Sequence, residues 1–259
     1  MVNDDFVYFE GMTSISAVIH TIESGLSNRT IRKVFYDASR VDKKASTIRF
    51  LESKAVSLGF ELIKVNSEAI DLVSSSNTHG GFIAECTHRT IHDLKSVSSS
   101  LPKTGFFVML EGIEDPYNLG YSIRSVYASG ADGMIISGRN WLQSSGAICR
   151  SSAGASELLP IYESDPLDAI NLFKDRNYSI LCSGIRDSVS LFDEPLELPI
   201  LLIFGGEKRG LSRKVLDKTD KIVRIDYGRP FNGSLPTSSA VAIMSFEIMK
   251  KNHRFNKQS

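Results

Sequence analysis

The sequence predicts an α/β protein whose later part is built on a mostly parallel sheet and is preceded by a smaller α/β domain. Three observations lead there. Short apolar runs at 106–110, 133–136, 179–182, 200–204 and 221–225 alternate with helical patterns at 119–129, 141–152, 166–174, 211–218 and 239–250. That alternation is the mark of βαβ units. A second, weaker alternation of strands and helices precedes it. Between the two lies Lys95-Ser-Val-Ser-Ser-Ser-Leu-Pro-Lys-Thr104, whose serines and proline read as a linker. The expected division is 1–94, linker 95–104, and 105–259.

In the first domain, Ser14 reads as the cap of a helix running to about Ser24. Arg32 to Tyr36 reads as a strand. Lys43 to Leu58 reads as a helix closing at Gly59, a residue suited to a left-handed C-cap. Phe60 to Val65 is a strand, Ser67 to Val73 a helix, and Gly81 to Glu85 a strand. In parallel sheets of the later kind, ligands sit beyond the carboxyl ends of the strands. The loops after Leu110, Cys182, Phe204 and Ile225 are therefore the places to search.

Composition excludes several function classes. The 259 residues are 42% hydrophobic and 23% charged, as in globular proteins. No apolar stretch approaches the ~18 residues of a membrane span. The start, Met1-Val-Asn-Asp-Asp-Phe, lacks a signal-peptide pattern. Cys86, Cys149 and Cys182 offer no CxxC and are odd in number, so reduced buried thiols in a cytoplasmic protein are expected. The five histidines have no metal-ligand spacing, and no metal is expected. Zero formal charge gives no global field for nucleic acid. Local patches would have to serve: Arg29/Arg32/Lys33, Arg40/Lys43/Lys44, Lys208/Arg209/Arg213/Lys214 and Lys250/Lys251/Arg254/Lys257.

Three loops carry candidate chemistry. In Leu110-Glu-Gly-Ile-Glu-Asp-Pro-Tyr-Asn-Leu-Gly-Tyr-Ser-Ile-Arg124, a buried strand gives way to a polar loop, and Leu119, Ile123 and Val126 then recur at helical spacing. Asn118 falls near the helix start and Arg124 about two turns in. Such a cation can orient a phosphate, and it can equally be a surface Arg on an ordinary helix. In Leu201-Leu-Ile-Phe-Gly-Gly-Glu-Lys-Arg-Gly-Leu-Ser212, Gly205, Gly206 and Gly210 allow close backbone approach, beside the carboxylate of Glu207. It is neither a P-loop nor GxGxxG, and a plain strand-to-helix turn would read the same way. In Ile225-Asp-Tyr-Gly-Arg-Pro-Phe-Asn-Gly-Ser-Leu-Pro-Thr-Ser-Ser239, hydroxyls including Ser234 precede a helix whose free N–H groups suit an anion.

Together the three loops resemble, in order and spacing across residues 105–250, the SpoU/TrmH family of RNA 2′-O-ribose methyltransferases in the SPOUT superfamily. The carriers are Asn118 with Arg124, then Phe204-Gly205-Gly-Glu207-Lys-Arg-Gly210, then Ile225 followed by Ser234-Leu235. Arg150-Ser-Ser-Ala-Gly-Ala155 is also similar to the family. Phe9-Glu-Gly11 and His79-Gly-Gly-Phe82 give the first domain a looser likeness to the L30e-like RNA-binding domain that often precedes such enzymes. The resemblance implies a trefoil-knotted carboxy-terminal domain, a homodimer, and S-adenosylmethionine as cofactor. The knot is implied by the resemblance alone.

The implied reaction is methyl transfer to a ribose 2′-hydroxyl of RNA, with 23S rRNA expected ahead of tRNA, and neither DNA nor a membrane as partner. The implied catalytic set is Arg124, Asn118, Glu207 and Ser234. A guanidinium is a poor base, so Arg124 is read as positioning phosphate and stabilising a developing alkoxide. Gly205, Ile225 and Leu235 match positions that contact the cofactor, and Phe204 and Ser183 join them at neighbouring strand ends. Tyr8, Phe9, Phe82 and Tyr117 are candidates for base stacking. One departure matters: Pro236 stands where the family usually has Asn after Ser-Leu, and proline brings neither an amide side chain nor an N–H. A non-catalytic RNA-binding or assembly protein retaining the fold is the alternative that this departure raises.

Overall fold

A computed structural model describes residues 6–74, 79–137, 139–206 and 208–252. The chain forms two compact units. One holds residues up to Thr90 together with Asn140–Leu158, and the other holds Ile91–Arg139 and the chain from Leu159 onward.

The first unit has a four-stranded sheet in the order β1-β4-β2-β3. Strand β1 (Phe6–Glu10), absent from the sequence reading, alternates to bury Val7 and Phe9. It pairs antiparallel with β4 (Phe82–Thr87). Strand β2 (Ile31–Asp37) pairs antiparallel with β4 and parallel with β3 (Glu61–Val65). Helix α1 (Gly11–Glu23) follows β1 directly, so Ser14 is no cap but a buried residue within the helix, beside Ile15, Val18 and Ile19. Helix α2 (Ala45–Leu58) ends as expected at Gly59, with φ 75° and its N–H donating to the Ala55 carbonyl at 2.9 Å. Helix α3 (Ser67–Val73) is capped by the Asn66 side chain.

The chain returns to this unit much later, through α5 (Ser145–Ser151) and α6 (Ala155–Leu158). Cys149 enters the core beside Val7, Phe9 and Ile15. Two polar ties fix the return. Arg150 donates to Glu10 at 2.6 Å, and buried Arg29 meets buried Glu157 at 3.1 Å. The expected domain boundary therefore does not describe residues 140–158. Arg29 is also no part of a basic surface, and Phe9 and Phe82 are core residues rather than stacking faces.

The second unit has, among the described residues, an eight-stranded sheet in the order β10-β12-β9-β11-β6-β7-β8-β5, with every recorded pairing parallel. The expected strands appear as β6 (Phe106–Glu111), β7 (Gly133–Ile136), β9 (Ser179–Ser183), β11 (Ile200–Gly205) and β12 (Lys221–Arg224). The sequence reading missed β5 (His92–Asp93) and β10 (Val189–Ser190) at the sheet's edges and β8 (Ile161–Glu163) beside β5, pieces of two or three residues too short to show a period. Helices α4 (Pro116–Ala128), α7 (Pro166–Lys174), α8 (Arg213–Leu216) and α9 (Thr237–Lys251) stand near their expected places. The stretch read as a linker begins instead with a 3₁₀ helix, Leu94–Ser100. Leu94 and Leu101 anchor it among Phe107, Phe173 and Tyr178, so its serines face outward from an apolar footing.

Candidate active site

Every loop singled out in the sequence lies beyond the carboxyl end of a strand in the second unit. Strand β6 runs into Gly112, which has φ 73°. The Asp115 side chain then accepts the Asn118 N–H at 2.8 Å, and Pro116 occupies the first turn of α4, where a missing N–H costs nothing. Leu119, Ile123 and Val126 form the buried face. Asn118 is half-buried, and Arg124 is exposed on the outer side of the helix.

Strand β11 pairs with β6 so that Phe204 meets Leu110 and Gly205 meets Glu111. The two following loops are thereby pressed together at glycines. A Cβ on Gly205 would lie 2.2 Å from the carbonyl carbon of Gly210, and one on Gly206 would lie 2.1 Å from the carbonyl oxygen of Gly112. The Gly210 N–H closes the turn on the Gly206 carbonyl at 2.9 Å. In this loop the left-handed position is Gly210, φ 62°, while Gly205 and Gly206 serve close approach. Two side chains also join the loops. Glu111 accepts the Ser212 N–H at 3.0 Å, and Lys208 donates to Glu114. The Lys208 hydrogen bond and charge hold the Glu114 carboxyl below its usual range. Glu207 lies outside the described residues.

A cavity of about 550 Å³ opens at the ends of three adjacent strands, β12, β9 and β11. Its walls come from the loops after each and from the first turns of α9. Five residues assigned to the cofactor in the sequence, Ser183, Phe204, Gly205, Ile225 and Leu235, line it together, and Ser234 joins them. Asn118 and Arg124 are not among its lining residues. The structure thus gathers six of the nine sequence-selected residues and sets two on α4.

Sequence reasoning missed Arg224, Tyr227 and Met244, which also line the cavity. Arg224 bonds the Ser188 carbonyl and Asp226. The Asp226 carboxyl is held below its usual range, first by a hydrogen bond from Ser190 and then by Arg224. Asp226-Tyr227 differs from the Pro-Met usual in the resembled family, but no pattern in the sequence gave Arg224, Tyr227 or Met244 a place in the site. Pro236 takes the N-cap position of α9 without a side-chain cap, and the Thr237 hydroxyl reaches the Gly205 carbonyl at 3.5 Å.

Among the described residues, no group of acidic, His or Cys side chains could hold a metal. The cavity has the size of a small-molecule site. Its lining mixes backbone of Gly184, Gly205 and Gly210, hydroxyls of Ser183, Ser234 and Thr237, and apolar Ile225, Leu235 and Met244. Arg224 adds one cation to this mixture of polar and apolar groups.

Three comparisons bear on this arrangement. A 23S rRNA (guanosine-2′-O-)-methyltransferase, RlmB, from a Burkholderia species is 29% identical over 229 residues, covering 86% of this chain and 89% of its own. An RlmB of Xylella fastidiosa is 28% identical, covering 93% and 96%. The fold is shared with the AdoMet-bound rRNA methyltransferase of Sinorhizobium meliloti, at a TM-score of 0.76 and 21% identity over 97% of this chain and 89% of that one. It is shared equally with the SpoU methyltransferase AviRb of Streptomyces viridochromogenes, at 0.76 and 20% over 97% and 92%. The family model described as "SpoU rRNA Methylase family" matches residues 105–246, more than half of the chain. The chain belongs to the SpoU rRNA Methylase family.

Proposed function

We propose that the protein transfers a methyl group from S-adenosylmethionine to a ribose 2′-hydroxyl of RNA, with 23S rRNA as substrate, in the cytoplasm. The observation that carries this reading is the cavity at the ends of β12, β9 and β11, where loops far apart in sequence bring together Ser183, Phe204, Gly205, Ile225, Ser234 and Leu235. The full-length likeness to RlmB relatives selects ribosomal RNA over tRNA.

The cofactor, when bound, supplies a methyl group on an electrophilic sulfonium. The chain's own task is then alignment of donor and hydroxyl, which in well-oriented systems is worth about 7–11 kcal/mol. Backbone groups of Gly205, Ile225 and Leu235 would hold the cofactor. Arg124 holds the substrate phosphate and stabilises the negative charge that develops on the 2′-oxygen as its proton passes to solvent. Asn118 and Glu207 orient Arg124 or the ribose, and Ser234 joins them from the cavity wall. The first ~94 residues read as the RNA-binding domain.

The reading extends to a dimer and a knot. Tyr121 and Tyr127 on α4 and Ile243 and Phe246 on α9 are exposed, and α4 packs on α9, so the pair carries apolar side chains suited to burial against a second copy. The trefoil knot rests on the family resemblance. Lys251, at the end of α9, donates to the carbonyls of Leu191, Phe192 and Glu194, which ties the segment after β10 to the end of the last helix.

Pro236 favours a second reading, an RNA-binding protein that no longer uses the cofactor. Calorimetry with S-adenosylmethionine separates them: heat of binding is expected, and a folded protein giving none sinks the enzyme. Mapping 2′-O-methyl groups in 23S rRNA with and without the gene is expected to reveal one lost site.

A further inference from the structure

We infer that Tyr227 is a positioning residue of the cofactor pocket, holding Leu235 in place through its hydroxyl. This rests on the methyltransferase reading of that cavity. Residues 225–236 leave the cavity wall at Ile225 and Tyr227 and return to it at Ser234, Leu235 and Pro236. Between them the chain is exposed and holds Gly228, Pro230 and Gly233, a composition with little intrinsic stiffness at its glycines.

Three contacts close the excursion. The Leu235 N–H donates to the Tyr227 hydroxyl at 3.3 Å. The Tyr227 and Phe231 rings meet with centroids 5.7 Å apart at 57°. The Phe231 ring also lies on Gly233, where a Cβ would stand 2.5 Å from it. Tyr227 is therefore bonded at its tip to the returning strand of the loop and packed on its face against the loop's centre.

The next residue explains why a side chain does this work. Pro236 has no N–H, and it sits at the start of α9 without contributing a side-chain cap. Leu235 is thus the last residue before the helix whose N–H can be tied down across the loop, and Tyr227 supplies the acceptor. The effect on ligand binding is entropic, since a wall that is already in place need not be ordered when the cofactor arrives.

The test uses the full chain and S-adenosylmethionine as probe. One such hydrogen bond is worth about 0.5–1.5 kcal/mol, so Tyr227→Phe is expected to weaken calorimetric affinity about 2- to 10-fold. Tyr227 is partly exposed, so the thermal midpoint of the unliganded protein should fall by no more than about 2–4 °C. The Leu235 amide should exchange faster with deuterium in the variant. In methylation assays KM for the cofactor should rise while kcat at saturation holds. Phe231→Tyr, which keeps the ring contact, should bind as the parent does. Unchanged affinity in Tyr227→Phe, or unchanged Leu235 exchange, overturns the assignment. If the parent protein itself binds no cofactor, the methyltransferase reading fails, and Leu235 exchange alone still decides whether Tyr227 holds the loop.

Discussion

Gly206 and Gly112 touch through backbone alone: a single methyl on Gly206 would stand 2.1 Å from the Gly112 carbonyl oxygen. This contact locks the loop after β11 against the loop after β6, and with it one wall of the cavity to the helix bearing Asn118 and Arg124. Neither partner can yield as a flexible side chain would. Gly206→Ala should therefore separate the loops, destabilising the protein by about 1–3 kcal/mol, the usual range for overpacking. Cofactor affinity should fall by at least about tenfold, since Gly205 and Gly210 move with it. Gly228→Ala is the control, because a Cβ there meets nothing within 4 Å and φ is ordinary. Urea unfolding and calorimetry on both variants check the contrast.

Arg29 and Glu157 are both nearly inaccessible, with side chains 2% and 3% exposed, and lie 128 residues apart in sequence. Arg29 also donates to the Thr87 carbonyl and stacks over Phe9 at 4.6 Å, while Arg89 donates to the Ser156 carbonyl. Removing one partner leaves a buried charge uncompensated. Glu157→Ala should cost about 3–5 kcal/mol. A paired replacement of Arg29 and Glu157 by apolar residues of similar volume should cost less than either single change. Chemical denaturation of the three variants measures the difference.

That pair also shows where the sequence stops being informative. Strong local periods were readable: Ser67–Val73, Gly133–Ile136 and Pro166–Lys174 lie where the pattern puts them. The site loops were readable too, since strand ends in a parallel sheet focus ligands and the motif glycines stood there. What could not be read is non-local. Nothing in the pattern of 140–158 says that it packs beside β1, because the reason is an arginine at 29 and a glutamate at 10. Nor could spacing show that Tyr227 would meet Leu235. Ser14 misled for a simpler reason: a buried serine inside a helix looks, in one dimension, like a cap.

Lys251 sits at the carboxyl end of α9 and spends its ammonium on three carbonyls of the 191–194 segment. Asn252 adds a bond to the Leu196 carbonyl at 2.8 Å. Lys251→Met keeps most of the apolar stem and removes the charge-assisted bonds. A loss of about 1.5–3 kcal/mol is expected, with faster amide exchange confined to the segment after β10 and to the end of α9. Uniform acceleration across the second unit would show that the lysine holds no particular segment.

The three thiols predict an alkaline limit. All are buried and free. Burial pushes Cys182 up to about 11, opposed by the Thr219 hydroxyl, and Cys149 up to about 12, with Glu157 adding to the rise. The ordinary thiol value is 9.0. The folded state therefore disfavours the thiolate. Stability from this source is complete below pH 9 and declines as pH rises from 9 towards 11 and 12, where the unfolded chain ionises first. Unfolding free energy measured between pH 8 and 11 should fall, and the fall should shrink in Cys182→Ala. At pH 8 a thiol reagent should find no reactive cysteine until denaturant is added.

Arg124 offers the sharpest division between the two halves of the proposed site. It is exposed on α4, whose buried face is Leu119, Ile123 and Val126, and it is not among the residues lining the cavity. Its removal should not disturb the fold, because surface substitutions usually stay within about 0.5 kcal/mol. It should not disturb cofactor affinity by more than about twofold either, since the cavity walls are Gly205, Ile225 and Leu235. Transfer is another matter. A fixed cation aimed at developing negative charge is commonly worth about 10²- to 10³-fold in kcat. Arg124→Ala is thus expected to retain binding heat and lose methylation of 23S rRNA. Arg124→Lys keeps the charge but not the planar fork, so it should recover little if the guanidinium grips a phosphate through two bonds. Equal loss of binding and transfer would move Arg124 to the cofactor half. Retained transfer would return it to the ordinary surface of an ordinary helix.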